Sequence, residues 1–189
     1  MAASTLRLFL PNLITVARLC AAPVAIYLII TDHLGSAFWL FVAAGLSDAI
    51  DGFLAKQFAA RTVLGGYLDP LADKALLVSV YVALGHKGYL ASWLVIMVVF
   101  RDALIVAGVA LSHALGHPFK LRPLIISKIN TGLQIALAAV VLAHFGLELD
   151  LAALPDLLLY LTAASTLASG AAYVVQGLHD AANIEGAPR

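Results

Sequence analysis

The chain has 189 residues, of which 62% are hydrophobic and 12% charged, and its formal net charge is zero. A soluble domain of this length needs more charge to cover its surface, so lipid is the expected solvent. The neutral balance gives no indication of nucleic-acid binding, and the single cysteine, Cys20, excludes an intrachain disulfide and a thiolate zinc cluster.

Six apolar segments predict an all-α integral membrane bundle of six transmembrane helices, since about 20 residues cross a bilayer. Short gaps rich in glycine and proline separate them, and no repeat or linker divides the chain, so residues 1–189 are expected to form one domain. Residues 1–10 predict a short interfacial helix, and the first span is expected to be retained rather than cleaved. The predicted spans are residues 11–31, 35–59, 66–86, 89–113, 124–146 and 153–178.

The basic residues predict how the bundle is oriented. An even number of spans puts both termini on one side, and basic loops favour the cytoplasm. The opposite side would hold only Lys87 among its basic residues, together with four acids. Both termini and the region around residues 47–74 are therefore expected to be cytoplasmic. The basic residues of that side are Arg7, Lys56, Arg61, Lys120, Arg122, Lys128 and Arg189.

Four aspartates stand out in the stretch "SDAIDGFLAKQFAARTVLGGYLDPLADK", residues 47–74. Asp48 and Asp51 are three residues apart and Asp69 and Asp73 four apart, so each pair lies on one face of its helix. Four converging carboxylates need counter-charge, and hard oxygen ligands suit Mg²⁺ or Mn²⁺. Two such ions would cancel the repulsion and hold a pyrophosphate.

Neighbouring residues suit a phosphate ligand. Gly52 and Gly65 allow a ligand or a backbone to approach closely. Lys56 lies four residues after Gly52 and is placed to reach a phosphate, and Thr62 could add a hydroxyl.

The whole pattern, Asp48-x2-Asp51-Gly52-x2-Ala55-Lys56-x8-Gly65-x3-Asp69-x3-Asp73, resembles the signature of the CDP-alcohol phosphatidyltransferases. These membrane enzymes move a phosphatidyl group from CDP-diacylglycerol to an alcohol. Every spacing agrees over the 26 residues from Asp48 to Asp73. Lys56 stands where the family usually has arginine, so the charge is kept but the bidentate fork is lost.

The resemblance implies six transmembrane helices, usually as a homodimer, with a site open to the cytoplasm. It also implies two bound Mg²⁺ or Mn²⁺ ions. Asp73 would serve both as a metal ligand and as the general base for the acceptor hydroxyl. The implied metal ligands are Asp48, Asp51, Asp69 and Asp73, and the implied CDP-binding residues are Gly52, Ala55, Lys56 and Gly65, beside which Thr62 is placed.

Two further stretches concern the acceptor alcohol. "FRDALIVAGVALSH" and "SKINTGLQIALA" resemble segments of the cardiolipin synthases of this family, whose acceptor is phosphatidylglycerol. Arg101 and Lys128 are the cations placed to meet an acceptor phosphate, and a phosphodiester needs fewer cations than a phosphomonoester. Phosphatidylglycerol is therefore the expected acceptor, and glycerol 3-phosphate is the alternative.

Several polar residues have a second interpretation. Lys128 is near a helix end and could snorkel to the interface. Arg101 and Asp102 are adjacent, so we expect them to point to different sides of a helix and to pair with other helices. Asn12, Thr15 and Arg18 recur at helical spacing, either as a polar stripe facing the site or as residues that cap and snorkel.

Two other classes of membrane protein also use acidic residues. A cation or proton transporter also carries intramembrane acids, but it needs neither the glycine gaps nor a lysine beside the acids, and it often shows repeats that are absent here. Membrane prenyltransferases share the diphosphate chemistry, but their two acidic motifs lie far apart.

Overall fold

The computed structural model describes the backbone of residues 2–58, 63–114 and 125–185, and the side chains of residues 15–47, 72–108 and 125–179. Over these ranges the regular secondary structure is helical, with no strand, which confirms the all-α prediction. The helices are α1 (Ala2–Ile30), α2 (Leu34–Phe58), α3 (Val63–His86), α4 (Ser92–Ala114), α5 (Ile125–Gly146) and α6 (Leu154–Glu185).

The first helix begins earlier than predicted. Residues 2–10 are helical, but they continue into α1 and do not form a separate helix, and their location at the membrane interface stays a prediction. Pro11 and Pro23 both lie inside α1. Proline removes one backbone donor, but membrane helices tolerate this where neighbouring groups take up the freed carbonyl.

The chain divides into two compact units, Met1–Leu90 with Ala138–Leu151, and Ala91–Leu137 with Ala152–Arg189. The first contains α1, α2, α3 and the end of α5, and the second contains α4, the start of α5 and α6. The expectation of a single domain over residues 1–189 stays a prediction.

In the first unit, α1 and α3 pack side by side and run parallel. Arg18 of α1 pairs with Asp73 of α3. Fourteen residues further along each of these two segments, Asp32 pairs with Lys87. The partners are 55 residues apart in sequence at both levels, so the two helices advance together. The buried face of α1 has alternating three- and four-residue spacing, at Thr15, Arg18, Ala22, Ala25 and Ile29.

Both parallel helices end in the same left-handed turn. At the end of α1, Asp32 has φ 60° and the His33 N–H returns to the Leu28 carbonyl at 2.8 Å. At the end of α3, Gly88 has φ 79° and the Tyr89 N–H returns to the Leu84 carbonyl at 2.9 Å. These six-to-one bonds satisfy carbonyls that the helix leaves open, and they stop both helices at one level.

In the second unit, α5 and α6 run antiparallel with α4 beside α6. The Arg101 guanidinium of α4 bonds both Ser127 and Ser169, whereas Asn130, one turn further along α5, meets Thr166, about one turn back along α6. A partner that moves back along α6 as α5 advances defines the antiparallel pairing.

Within the ranges described, several polar side chains are buried and several large apolar ones are exposed. Asn130, Gln134 and Thr162 are fully buried, whereas Ile96 and Phe100 each keep about two thirds of their surface exposed, at 68% and 67%. A soluble domain does not present this pattern, because exposed apolar area favours association in water. The exterior is therefore suited to an apolar solvent.

Candidate active site

Asp73 is the one predicted metal ligand whose side chain the structure describes. It lies on α3 with 43% of its side-chain surface exposed, and its Oδ1 accepts a hydrogen bond from Nη1 of Arg18. Arg18 is itself buried, with 4% of its side chain exposed. The pairing places Arg18 of α1 against Asp73 of α3. Asn12 lies outside the described side chains, so a polar stripe of Asn12, Thr15 and Arg18 that faces the site stays a prediction.

The other predicted ligands lie outside the described side chains. Asp48 and Asp51 fall on the last turns of α2, and Asp69 falls on α3 one turn before Asp73. The same holds for the predicted CDP-binding residues Gly52, Ala55, Lys56 and Gly65 on these two helices, whereas Thr62 lies outside the described backbone. Their convergence stays a prediction.

The donor chemistry at Asp73 fits a hard divalent ion. A carboxylate offers about four lone-pair positions, so one arginine donor leaves acceptor capacity for a cation. Among the side chains that the structure describes, no three His, Cys, Asp or Glu residues form a metal-binding group. The predicted metal site, which also uses Asp48, Asp51 and Asp69, stays a prediction.

Arg101 is the centre of a buried polar cluster in the second unit. Nη1 donates to Asp102 Oδ1 at 2.7 Å, and Nη2 donates to Ser127 Oγ at 2.6 Å and to Ser169 Oγ. The guanidinium also lies over the Tyr173 ring, 5.6 Å from its centroid. The cluster joins all three helices of this unit.

The head groups of Arg101 and Asp102 meet, contrary to prediction. We expected adjacent residues to point to different sides of α4, but the long arginine side chain returns to its neighbour and forms a buried ion pair. Arg101 does pair with the other helices, through the two serines. Whether Arg101 contacts an acceptor stays a prediction.

Asn130 extends the polar interior one turn from Ser127. Its Oδ1 accepts from Ser165 Oγ and Thr166 Oγ1, both at 2.8 Å, which fixes the orientation of the amide. Its Nδ2 is buried and finds no hydrogen-bond partner among the described residues. Lys128, between Ser127 and Asn130, is exposed.

The first unit has a second polar group, at the C-terminal ends of α1 and α3 and away from Asp73. Lys87 Nζ donates to Asp32 Oδ2 at 2.7 Å and Tyr89 Oη donates to Asp32 Oδ1 at 3.0 Å. The bond from Lys87, followed by the bond from Tyr89, lowers the pKa of the Asp32 carboxyl below its ordinary 3.8. The same bond to Asp32 raises the pKa of Tyr89 above 10.0.

Sequence reasoning did not foresee three of these partners. Ser127 and Ser169 give no signal, because single hydroxyls are common in apolar helices and bond their own backbone. Arg18 did carry one in its helical spacing from Thr15, but its partner on α3 could not be read from spacing alone.

The family comparison supplies the remaining observation. The sequence model of the family described as CDP-alcohol phosphatidyltransferase matches residues 8–174, which include the whole aspartate stretch and both polar clusters around Asp73 and Arg101. The chain belongs to this family. Members of the CDP-alcohol phosphatidyltransferase family are therefore the relatives against which its residues are compared.

Three relatives carry two kinds of name. The CDP-diacylglycerol–glycerol-3-phosphate 3-phosphatidyltransferase 1 (chloroplastic) of Oryza sativa subsp. japonica is 37% identical over 186 residues, covering 88% of this chain and 56% of the relative. The cardiolipin synthase (CMP-forming) of Homo sapiens is 37% identical over 150 residues, covering 71% and 50%. The CDP-diacylglycerol–glycerol-3-phosphate 3-phosphatidyltransferase of Bacillus subtilis is 30% identical over 182 residues, covering 87% and 92%.

The chain spans about half the length of the rice and human relatives that it matches, at 56% and 50%. The rice relative, named for glycerol 3-phosphate, and the human relative, named as a cardiolipin synthase, are equally identical to this chain, at 37%. Overall similarity therefore does not select the acceptor, and the choice depends on individual residues.

Proposed function

We propose that the protein transfers the phosphatidyl group of CDP-diacylglycerol to an alcohol and releases CMP. The observation that carries this proposal is the family match over residues 8–174, within which the aspartate pattern of residues 47–74 is complete. A transporter needs no such match, so the enzyme interpretation is favoured over it.

The proposed setting is a six-span membrane bundle that forms a homodimer. Helix length supports the six spans. The shortest of the described helices, α5, has 22 residues and extends about 33 Å, against a hydrocarbon core of about 30 Å. In the described part of the chain, Ile125–Gly146 and Leu154–His179 are long and apolar enough to cross a membrane, and Thr15–Ile30 and Leu34–Ser47 are shorter apolar stretches. Parallel α1 and α3 also agree with alternating spans.

The depth of Asp73 supports a site near the side that holds both termini. Asp73 and Arg18 each lie 14 residues before the paired ends at Lys87 and Asp32. At 1.5 Å per residue this is about 21 Å along the helices, which is about two thirds of the hydrocarbon thickness. With the basic loops on the far side, we place the site toward the cytoplasm.

The proposed metal ligands are the aspartates at positions 48, 51, 69 and 73. When bound, two Mg²⁺ or Mn²⁺ ions would neutralise the pyrophosphate and the charge on the departing CMP. Gly52 and Gly65 give the nucleotide close access to the helix backbones, and Lys56 and Thr62 supply a cation and a hydroxyl to phosphate oxygens. Ala55 completes the proposed CDP-binding set.

Asp73 is the proposed general base. Its carboxylate accepts the proton of the acceptor hydroxyl as that oxygen forms a new ester bond to the lipid-side phosphorus. The bond from this phosphorus to the CMP oxygen breaks in the same displacement, and the electron pair leaves with CMP. The half-exposed carboxylate on α3 is accessible enough for this role.

Phosphatidylglycerol is the proposed acceptor, which makes the product cardiolipin. The charge of Arg101 is already balanced by Asp102 at 2.7 Å, so the cluster offers little net positive charge to a doubly charged phosphomonoester. A phosphodiester carries one charge and suits this environment better. Lys128 is the second proposed contact to the acceptor phosphate.

Glycerol 3-phosphate is the second candidate acceptor. The rice and Bacillus relatives, both named for it, support this choice, and the Bacillus relative is covered over 92% of its length.

A direct assay tests both proposals. Detergent-purified protein is incubated with CDP-diacylglycerol and Mn²⁺, and phosphatidylglycerol or glycerol 3-phosphate is offered in separate reactions. Mass spectrometry of the lipid product and release of CMP identify the acceptor. We expect cardiolipin from phosphatidylglycerol and little product from glycerol 3-phosphate.

Two controls make the assay decisive. Reactions without an acceptor separate transfer from hydrolysis of the donor, and Asp73→Asn, purified in the same detergent, tests the proposed base. Absence of CMP release with every acceptor would reject the transfer reaction, whereas phosphatidylglycerol phosphate as the main product would reject only the acceptor.

A further inference from the structure

The pair of Arg18 and Asp73 is unequal in exposure. The arginine side chain is 4% exposed and the carboxylate 43%. Arg18 lies on the buried face of α1, between Thr15 and Ala22, so packing on both sides limits where its guanidinium can move. The buried Arg18 guanidinium is therefore the more restrained partner, and it orients the exposed Asp73 carboxylate.

A carboxylate that ligates a metal is usually oriented by a donor outside the metal's own ligands. Loss of such a donor typically costs about 10- to 100-fold in metal affinity or activity. Nη1 of Arg18 occupies Oδ1 of Asp73, and carboxylate lone pairs remain for a second contact. Arg18 also offsets part of the charge that four predicted carboxylates would bring together.

We infer that Arg18 is a positioning residue, whose guanidinium sets the orientation in which Asp73 meets a divalent cation. This inference rests on the proposed function, since it takes Asp73 to be a metal ligand. It assigns to α1 a part in the site, in addition to the α2 and α3 residues that the aspartate pattern supplies.

The test measures Mn²⁺ binding directly, without substrate or turnover. Electron paramagnetic resonance reports free Mn²⁺ in titrations of the detergent-purified full chain. We expect Arg18→Gln to raise the dissociation constant by about tenfold and Arg18→Lys by about threefold, because lysine keeps the charge but loses the planar fork. Asp73→Asn should weaken binding as well.

A double-mutant cycle separates positioning from a general effect. If Arg18 acts through Asp73, then Arg18→Gln adds little to Asp73→Asn, and the two changes are strongly non-additive. Lys87→Met is the matched control, because it breaks the other ion pair between the same two chain segments, 14 residues from Asp73. We expect it to leave Mn²⁺ affinity unchanged.

Each outcome decides a separate point. Unchanged or tighter binding by Arg18→Gln, or full additivity with Asp73→Asn, overturns the inference while leaving the metal site in place. Unchanged binding by Asp73→Asn instead rejects the proposed ligand. If Arg18→Gln does not fold, as judged by circular dichroism, Arg18→Lys takes its place, and wild-type affinity in that variant overturns the inference.

Discussion

Gly146 is predicted to be intolerant of even one added methyl group. It ends α5 where that helix meets the first turn of α2, within one compact unit. A Cβ at Gly146 would lie 2.5 Å from the Gly35 nitrogen and 2.5 Å from the Leu34 carbonyl carbon. Both are backbone atoms, so no side chain can rotate away.

The cost of Gly146→Ala follows from that distance. Ordinary contact begins at 3.4 Å, so one helix must retreat by about 0.9 Å. Overpacking of this kind costs about 1–3 kcal/mol, and the helix propensity of alanine returns at most about 1 kcal/mol. For a chain of this size each kcal/mol lowers Tm by about 2–4 °C, so we expect a fall of several degrees.

Gly132→Ala is the matched control on the same helix. Nothing lies within 4 Å of its added Cβ, so the change brings only the propensity gain and should not lower Tm. Thermal unfolding of both variants in one detergent, followed by circular dichroism, compares them. Equal Tm values for Gly146→Ala and Gly132→Ala would show that the close approach is not a constraint and would refute the reasoning.

Three further predictions concern charged groups. Asp69→Asn should abolish CMP release while membrane insertion is retained, because a neutral amide is a poorer ligand than a carboxylate for a hard divalent ion. Assays of CMP release and of membrane extraction check this, and an active variant would reject the ligand assignment. Arg101→Met should lower the free energy of unfolding by about 3–5 kcal/mol, whereas adding Asp102→Leu should restore most of it, because the single change removes the guanidinium that balances the buried Asp102 carboxylate. Chemical denaturation in detergent measures both variants, and equal losses would contradict this account. Lys87→Met should lower Tm near neutral pH but lose its effect in acid. The lowered pKa of Asp32 contributes stability above pH 3.8, the ordinary pKa of the group, and this stability disappears as the pH falls through the pKa of Asp32 in the folded state. A Tm difference that persists in acid would oppose this account.

The helices were predictable because their signal is local. Apolar runs of membrane length, interrupted by Gly and Pro, indicated five of the six helices to within about three residues at their starts. The start of α1 at Ala2 was missed because residues 1–10 were expected to form a short helix of their own, whereas the helix continues through Pro11, as an interior proline allows in a membrane protein.

The partners of the charged residues were harder to predict, because they depend on register between helices. Helical spacing indicated that Arg18 faces a neighbour, but the choice of Asp73 is set by the parallel packing of α1 on α3. At Arg101 and Asp102, spacing gave the directions of the Cβ atoms and missed the flexible stem that brings the two head groups together. The motif, by contrast, was readable because its aspartates are close in sequence.

The hydroxyls of α6 have two sets of partners, and this bears on how that helix enters a bilayer. Thr166 Oγ1 donates to the Thr162 carbonyl of its own helix at 2.7 Å, and Ser165 Oγ does the same at 3.0 Å. A single helix delivered into lipid can thus shield these polar groups before any neighbour arrives. Once α6 packs against α5, the same hydroxyls lie within hydrogen-bond distance of the Asn130 amide. Helix association therefore uses polar groups that were already hydrogen-bonded when α6 entered the bilayer.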